Sequence, residues 1–544
     1  MTVGPASVLA PAKVRLLARS AALPRILYNS DIACVSAICV FGGCIRFYHL
    51  SYLSLWGDEA FSRFYYQTGL YFMWTAGLHS ESSPPLYYMA LGAWIHVFGS
   101  SEAALRSLSA VASTFAIFLV YRLGVELFDR RHAILAAALF ALSATEIYYA
   151  QEARCYALLL IPVLAMLIAG ARYVRGSGGN ASLAAYIVAA IVAIYTHTTM
   201  VFAVAACGLV VLAYVLADRR ALLDNRVTSW IGAHLWVGLL ALPTLIAMMD
   251  PLQRQQLTWI PSVSLHQVGA VLSNTVAGTL TPGRFPGGIL AVAVVGILAV
   301  SIWRQMPSRR FLMIAVAIPG AYIALVTFVS LSVQPILLSR IFCWTVIPLC
   351  LIEAWALLTD DWLRPIAVGV ILGTVAVGLC YQLGINPDAK EPWREATRYV
   401  ATELHQGDLV VLAPGTDPAA PKYYVPKLVH VAMLSSEALA PSQLGIMPGL
   451  LGVPGIPYQQ VASLINNPLS RTVVIAAAAD TAMLPDLLRV TRPPNESAYF
   501  PCRGGDNQPT GFACGIAVLV WRQLPAVTER TANSGATASA GAVE

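Results

Sequence analysis

Apolar runs of about 20 residues recur from Asp31 to Gly384, and this recurrence constrains the fold more than any other feature of the chain. Twenty helical residues rise about 30 Å, the thickness of a hydrocarbon core, so each run can cross a bilayer. Inside lipid every backbone N–H and C=O needs an internal partner, which runs of this length obtain by folding as helices. Composition agrees, since 58% of the 544 residues are hydrophobic and 11% are charged, whereas soluble domains carry about 25% charged residues. A water-soluble globular chain is excluded.

The runs place spans at about 31–50, 103–125, 133–149, 154–172, 183–197, 199–217, 229–249, 287–304, 310–333, 342–358 and 365–384. The fold expected is an all-α polytopic bundle of about 11 to 13 spans, occupying residues 31–384, with an outer loop at 51–102. Pro84 to Gly99 is short for a span and opens with two prolines, so it reads as a helix lying in the interface or re-entering. With this segment left out and the N-terminus inside, the inner turns hold Arg130 and Arg131, Arg172 and Arg175, Arg219, Arg220 and Arg226, Arg304, Arg309 and Arg310, and Arg364. Each inner turn is then positive, as the positive-inside rule requires. The net charge of +6 therefore reports orientation, and nucleic acid is not an expected partner. Residues 1–30, with Lys13, Arg15, Arg19 and Arg25, read as a basic cytoplasmic segment before an uncleaved first span.

After Gly384 the acids become denser and the apolar runs stop. Trp393 to His405 has amphipathic helical spacing, and Asp408 to Gly415, Arg471 to Ala477 and Gly515 to Trp521 read as strands. A small extracytoplasmic α/β domain is expected over 385–525, followed by a disordered tail over 526–544 rich in Ala, Ser, Thr and Gly. Cys502 and Cys514 stand there as a disulfide or as two free thiols, while the other cysteines lie in apolar runs as small hydrophobes.

Ionisable side chains are costly in hydrocarbon, so those near the outer ends of the spans are the candidates for chemistry. Asp58 and Glu59 adjoin in the first outer loop, where one can face a cavity while the other holds position or binds a cation. His79, Pro84-Pro85-Leu86-Tyr87-Tyr88, Tyr149-Ala150-Gln151-Glu152-Ala153-Arg154, Tyr195-Thr196-His197 and Arg340 follow on the same side. The polar group Gln151, Glu152 and Arg154 lies in a hairpin between two apolar helices, which requires pairing or a wet cavity. Arg154 and Arg340 are the leading phosphate ligands, because a guanidinium donates two bonds while staying charged; Arg63 and Arg106 are lesser ones. Glu152 orients Arg154, accepts from sugar hydroxyls or holds a divalent cation, and His197 donates to a phosphate or satisfies a neighbouring carbonyl.

These elements, in this order over about residues 30–350, resemble the polytopic glycosyltransferases of the GT-C fold that use a polyprenyl-phosphate sugar, among them protein O-mannosyltransferases, the lipid A aminoarabinose transferase and lipopolysaccharide galacturonic acid transferases. One departure is visible. The family has His directly before Pro-Pro, whereas here Glu81, Ser82 and Ser83 intervene after His79.

The resemblance implies a membrane glycosyltransferase that moves one sugar, with inversion, from the lipid phosphate to lipid A, a lipid-linked glycan or a polysaccharide. Asp58 would be the general base beside Glu59, with Gln151, Glu152, Arg154, His197, Arg340, His79 and Tyr88 binding substrate. The site and the C-terminal domain would face the periplasm from the inner membrane. No nucleotide-binding motif is present and no outer spacing matches a closed metal site, so no cofactor is assigned and a divalent cation stays open. Two rival classes remain: a transporter or flippase, which usually places its charges near the midplane within internal repeats, and a non-catalytic envelope assembly protein. No repeat is found.

Overall fold

The computed structural model describes the chain from Asp31 to Arg522 apart from residues 82, 178, 218–224, 256, 258–259, 279–286, 360–361, 386–389, 406–407, 414–415, 427–429, 436–445, 468–471, 479–482 and 501–515. The basic N-terminal segment, the Cys502 and Cys514 pair and the tail over 526–544 lie outside the described residues. Two compact units result. The first is Met1–Arg394 with Ala419–Tyr424 and Pro501–Gly515; the second is Glu395–Pro418 with Val425–Phe500 and Ile516–Glu544.

The first unit is a helical bundle, and every apolar run delimited from the sequence is helical. Among the described residues, eight helices are long and apolar enough to cross a membrane: Glu102–Leu127, Tyr156–Arg175, Gly179–Thr196, Arg226–Met248, Gly287–Gln305, Arg309–Ser332, Ser339–Leu358 and Arg364–Leu383. The pair Arg130–Leu142 and Ala144–Ala150, bent by 59° where they meet, has the length and composition of one broken span or of a re-entrant loop. Residues 31–47 and Met200–Leu216 form shorter apolar helices. The segment left out of the spans is the helix Pro85–Phe98, whose 14 residues rise about 21 Å, less than the hydrocarbon thickness.

The bend at Ser143 has no proline or glycine behind it. Ser143 takes an extended conformation (ψ 119°) and its hydroxyl accepts from the Glu146 N–H, so it ends one helix and caps the next. The break strands carbonyls at the end of Arg130–Leu142, and Arg46 from the first helix collects them. Its Nη1 donates to Ala141 O at 2.9 Å and Gly42 O at 3.1 Å, its Nη2 to Phe140 O at 3.2 Å, and its Nε to Ser113 Oγ at 2.8 Å. Arg46 is fully buried. A π-helical stretch over Leu312–Ala317 similarly precedes Pro319, whose ring collides with a carbonyl one turn back and which lacks an N–H.

Close approach is enforced at Gly124, where a Cβ would stand 2.8 Å from the Ala133 backbone, so Glu102–Leu127 and Arg130–Leu142 pack nearly backbone to backbone. The core between them is filled by Ile117, Val120, Phe140, Leu160 and Leu164, all at or near zero exposure.

The second unit carries a six-stranded sheet in the order β3-β2-β1-β4-β6-β5. β1 (Leu409–Leu412), β2 (Val431–Ser435), β3 (Gly455–Pro457) and β4 (Val473–Ala478) run parallel, and β5 (Glu496–Phe500) and β6 (Ile516–Trp521) add an antiparallel margin. Central β1 is buried on both faces, which explains its unbroken Leu-Val-Val-Leu. This sheet unit begins at Glu395, later in the chain than the composition shift after Gly384.

Candidate active site

The first outer loop turns into the helix Gly57–Tyr65, with Trp56 as an extended N-cap and Asp58 and Glu59 in its first turn. Acids are favoured there by the helix dipole. Successive helical residues point about 100° apart, so the two carboxylates enter different surroundings. The Asp58 side chain is 36% exposed, and Glu59 is fully buried.

Glu59 is saturated. Arg106 forks onto it through Nε to Oε1 at 2.8 Å and Nη2 to Oε2 at 2.6 Å, the Ala153 N–H donates to Oε1 at 2.8 Å, and Lys390 Nζ lies 3.4 Å from Oε2. Burial alone would raise this carboxyl; Arg106, Lys390 and the Ala153 N–H outweigh it and hold it down to about 2. The remaining Arg106 N–H groups donate to the carbonyls of Leu50, Leu53 and Ser54. Glu59 and Arg106 therefore brace the loop.

Asp58 faces two guanidinium groups. Arg340 Nη1 donates to Oδ2 at 3.0 Å, and Arg154 Nη2 stands 3.8 Å from the same oxygen. Arg340 arrives from Ser339–Thr345, a 3-10 stretch that opens the helix Val346–Leu358. Arg154 comes from the turn between Ala144–Ala150 and Tyr156–Arg175. Residues 282 positions apart are thus joined.

The donors of Arg154 are loosely engaged. Nη1 reaches Asp58 O, Ser62 Oγ and the Tyr88 hydroxyl, each at 3.4 Å, and Nε is buried without a hydrogen-bond partner. The Tyr87 hydroxyl is likewise buried and unpartnered. Tyr88 is fully buried and donates to Glu81 Oε1 at 3.4 Å. Orphaned buried donors are costly in a folded protein and common where an anion binds.

Glu152 is 2% exposed. Burial pushes its carboxyl up to about 7, with Lys390 opposing and Glu59 adding to the push. His197 follows the helix Gly179–Thr196, and its Nδ1 accepts from the Thr199 N–H at 3.2 Å, so a neutral ring carries its proton on Nε2. Its ring lies 5.8 Å from that of Tyr156.

Two of the residues expected to bind substrate have protein partners on one side-chain atom each. Gln151 Nε2 donates to the carbonyls of Ile45, Arg46 and Tyr48, closing the end of the first helix, because an amide beside a helix C-terminus meets its free carbonyls first. His79 Nδ1 pairs with Asp250 Oδ2 at 3.0 Å, joining the first outer loop to the chain after Met248. Lys390, which no pattern in the sequence singles out, also reaches this group through Glu59 Oε2. Among the described residues no group of three or more His, Cys, Asp or Glu is arranged to hold a metal ion.

The family model for dolichyl-phosphate-mannose-protein mannosyltransferases matches residues 82–248, which hold Tyr88, Arg154 and His197. The apo crystal structure of ArnT from Cupriavidus metallidurans superposes at a TM-score of 0.54 with 13% identity, covering 91% of this chain and 98% of that one. The same protein bound to undecaprenyl phosphate gives a TM-score of 0.52 with 15% identity, over 90% and 97%. No curated protein sequence matches the chain. The mannosyltransferase family model thus matches a segment of the bundle, and the chain shares the fold of the ArnT structures over nine-tenths of its length.

Proposed function

We propose that this enzyme moves a single sugar from a polyprenyl-phosphate donor to an envelope acceptor (lipid A, a lipid-linked glycan or a polysaccharide) at the periplasmic face of the inner membrane, with Asp58 as the general base. The observation that carries the proposal is the convergence of Arg340 and Arg154 on Asp58, together with the unpartnered buried Arg154 Nε. A phosphate monoester needs several fixed N–H donors, and the acceptor hydroxyl needs a carboxylate beside them. The ArnT relative that holds undecaprenyl phosphate makes a lipid phosphate the natural anion.

In this reading the donor phosphate competes with Asp58 for the same guanidinium N–H groups. Binding the donor loosens the Arg340–Asp58 pair and frees carboxylate lone pairs where the acceptor arrives. The acceptor oxygen attacks the anomeric carbon while Asp58 takes its proton, and the bond from that carbon to the phosphate oxygen breaks. The polyprenyl phosphate leaves with the bonding pair, and Arg340 and Arg154 stabilise its added charge. Glu152 and the His197 Nε2–H orient the sugar or the phosphate, Tyr88 positions Arg154, and Glu59 holds the loop. The test is transfer of labelled sugar from undecaprenyl phosphate to candidate acceptors by purified protein. Transfer by the wild type and its loss in Asp58→Asn support the reading, and transfer undiminished in Asp58→Asn overturns it.

A further inference from the structure

The chain from Leu50 to Trp56 leads into the Asp58 helix and has neither strand nor helix to take its backbone groups, so side chains take them instead. Arg106, from the helix Glu102–Leu127, holds the carbonyls of Leu50 at 2.7 Å, Leu53 at 2.8 Å and Ser54 at 2.9 Å. Arg394, in the chain after the last span, holds the two between them: its Nη2 donates to Ser51 O at 2.9 Å and its Nη1 to Tyr52 O at 3.2 Å. Five consecutive carbonyls are thus bound by two guanidinium groups. The Leu55 N–H that follows donates to the Tyr424 hydroxyl at 2.6 Å.

Glu102 fixes both late residues. Arg394 donates to its Oε1 through Nε at 3.1 Å and to its Oε2 through Nη2, and the Tyr424 hydroxyl donates to Oε1. Beside them the Tyr423 hydroxyl donates to Ser100 O at 3.0 Å, and the helix Ala419–Tyr424 packs against Gly57–Tyr65, the helix that carries Asp58. Ala419–Tyr424 belongs to the first unit, although the chain on either side of it, Glu395–Pro418 and Val425–Phe500, belongs to the second. Two residues from beyond the last span therefore complete the frame of the first outer loop.

We infer that Arg394, Glu102 and Tyr424 are positioning residues of the transferase site: together they fix the loop from Leu50 to Trp56 and so set where the Asp58 carboxylate meets the acceptor hydroxyl. The inference deepens the proposed function and rests on it for its consequence in catalysis. Asp58 stands three residues past Leu55 and inherits the placement of the loop. Arg154 and Arg340 are carried by other elements, the turn before Tyr156–Arg175 and the stretch Ser339–Thr345. Loosening the loop should therefore displace the base and leave the guanidinium groups for the phosphate in place. Proton transfer is sensitive to such a shift, since a misplacement of about 1 Å can cost about 100-fold in rate.

The test is hydrogen–deuterium exchange of the purified full-length protein, read on peptides that cover residues 50–56. Tyr424→Phe removes the hydroxyl and keeps the ring, and Arg394→Met removes the fork. Each is expected to speed exchange there by about 10-fold, as the loss of one or two hydrogen bonds implies, while Tyr156–Arg175 exchanges as in the wild type. Exchange at 50–56 unmoved in both variants, or a rise spread equally over the bundle, overturns the inference whether or not any sugar is transferred. Transfer assays on the same samples read the catalytic consequence. A kcat lowered by about 10-fold to 100-fold at unchanged donor KM is the expected result. A raised donor KM at unchanged kcat, or wild-type kinetics despite faster loop exchange, overturns the positioning role alone. Faster loop exchange with no transfer by the wild type from any polyprenyl-phosphate sugar sinks the proposed function alone and supports the structural frame.

Discussion

Asp58 and Glu59 are neighbours in the chain with opposite fates: Asp58 is half open and faces Arg340 and Arg154, and Glu59 is sealed between the Arg106 fork, Lys390 and the Ala153 N–H. One residue of helical rotation separates a carboxylate that can meet substrate from one that cannot. The first should cost activity when neutralised and the second should cost stability. Asp58→Asn is expected to lower transfer by about 10² to 10⁴, the usual contribution of a general base, with the melting temperature unchanged. Glu59→Gln leaves Arg106 and Lys390 buried without their counter-charge and should destabilise by about 3 to 5 kcal/mol. Thermal melting in detergent beside a transfer assay checks both, and the reverse assignment of effects would show that the roles are exchanged.

The arginines should separate in kinetics. Arg340 makes a short bond to Asp58, while Arg154 holds only long contacts and keeps Nε unpartnered. Arg154→Met removes donors available to a phosphate, so its main effect should be a rise in the donor KM of about 10-fold or more, the worth of one charge-assisted hydrogen bond. Arg340→Lys keeps a charge and loses the fork, and should lower kcat by a similar factor. A donor titration with Arg154→Met that overlays the wild type would remove Arg154 from phosphate binding.

Glu152 sets a pH dependence whose sign is fixed. Its folded-state value lies near 7, above the ordinary carboxylate range, because burial disfavours the charge. As pH falls through about 7 the carboxylate takes a proton, Arg154 loses an acidic neighbour, and transfer should decline along that limb. Stability moves the other way. A raised acid contributes stability in full below its unfolded value near 4.3 and loses that contribution as pH rises through about 7. Glu152→Gln should flatten the activity limb and this part of the melting-temperature profile. A variant that keeps the acidic limb at the wild-type position would place the titrating group elsewhere.

The bundle was legible because the bilayer imposes a length scale, and runs of about 20 apolar residues meet it without any tertiary information. The bend at Ser143 was not, since a serine that ends one helix and caps the next carries no breaker signal. Asp58, Arg154, Arg340 and Tyr88 converge as their types and order suggested, because charge at a span end has few places to go. Gln151 and His79 share the expectation of binding substrate, yet the first meets stranded carbonyls and the second meets Asp250. These are contacts between distant segments that no local pattern encodes. In the sheet, β3 is only three residues long and β5 opens with Glu496 and Ser497, so neither carries a clear strand pattern, whereas β2, Val-Ala-Met-Leu-Ser, is as apolar as β1 and was still missed.

Arg46 offers the last test, because a buried cation in a span can serve either substrate or architecture. Its four N–H bonds run to the Phe140, Ala141 and Gly42 carbonyls and to Ser113, none of which belongs to the Asp58 group. Glu146, on the far side of the bend, is fully buried with both carboxyl oxygens unpartnered. Arg46→Leu therefore leaves the carbonyls at the Ser143 bend unsatisfied in an apolar interior, a loss of about 2 to 4 kcal/mol from two or more orphaned acceptors. The melting temperature should fall while the protein that remains folded keeps the wild-type donor KM. Lys in place of Arg46 recovers only part of the stability, since one ammonium cannot reproduce a planar fork that spans two helices. A raised donor KM at unchanged stability would instead make Arg46 part of the binding site, and the bend would then need another explanation for its satisfied carbonyls.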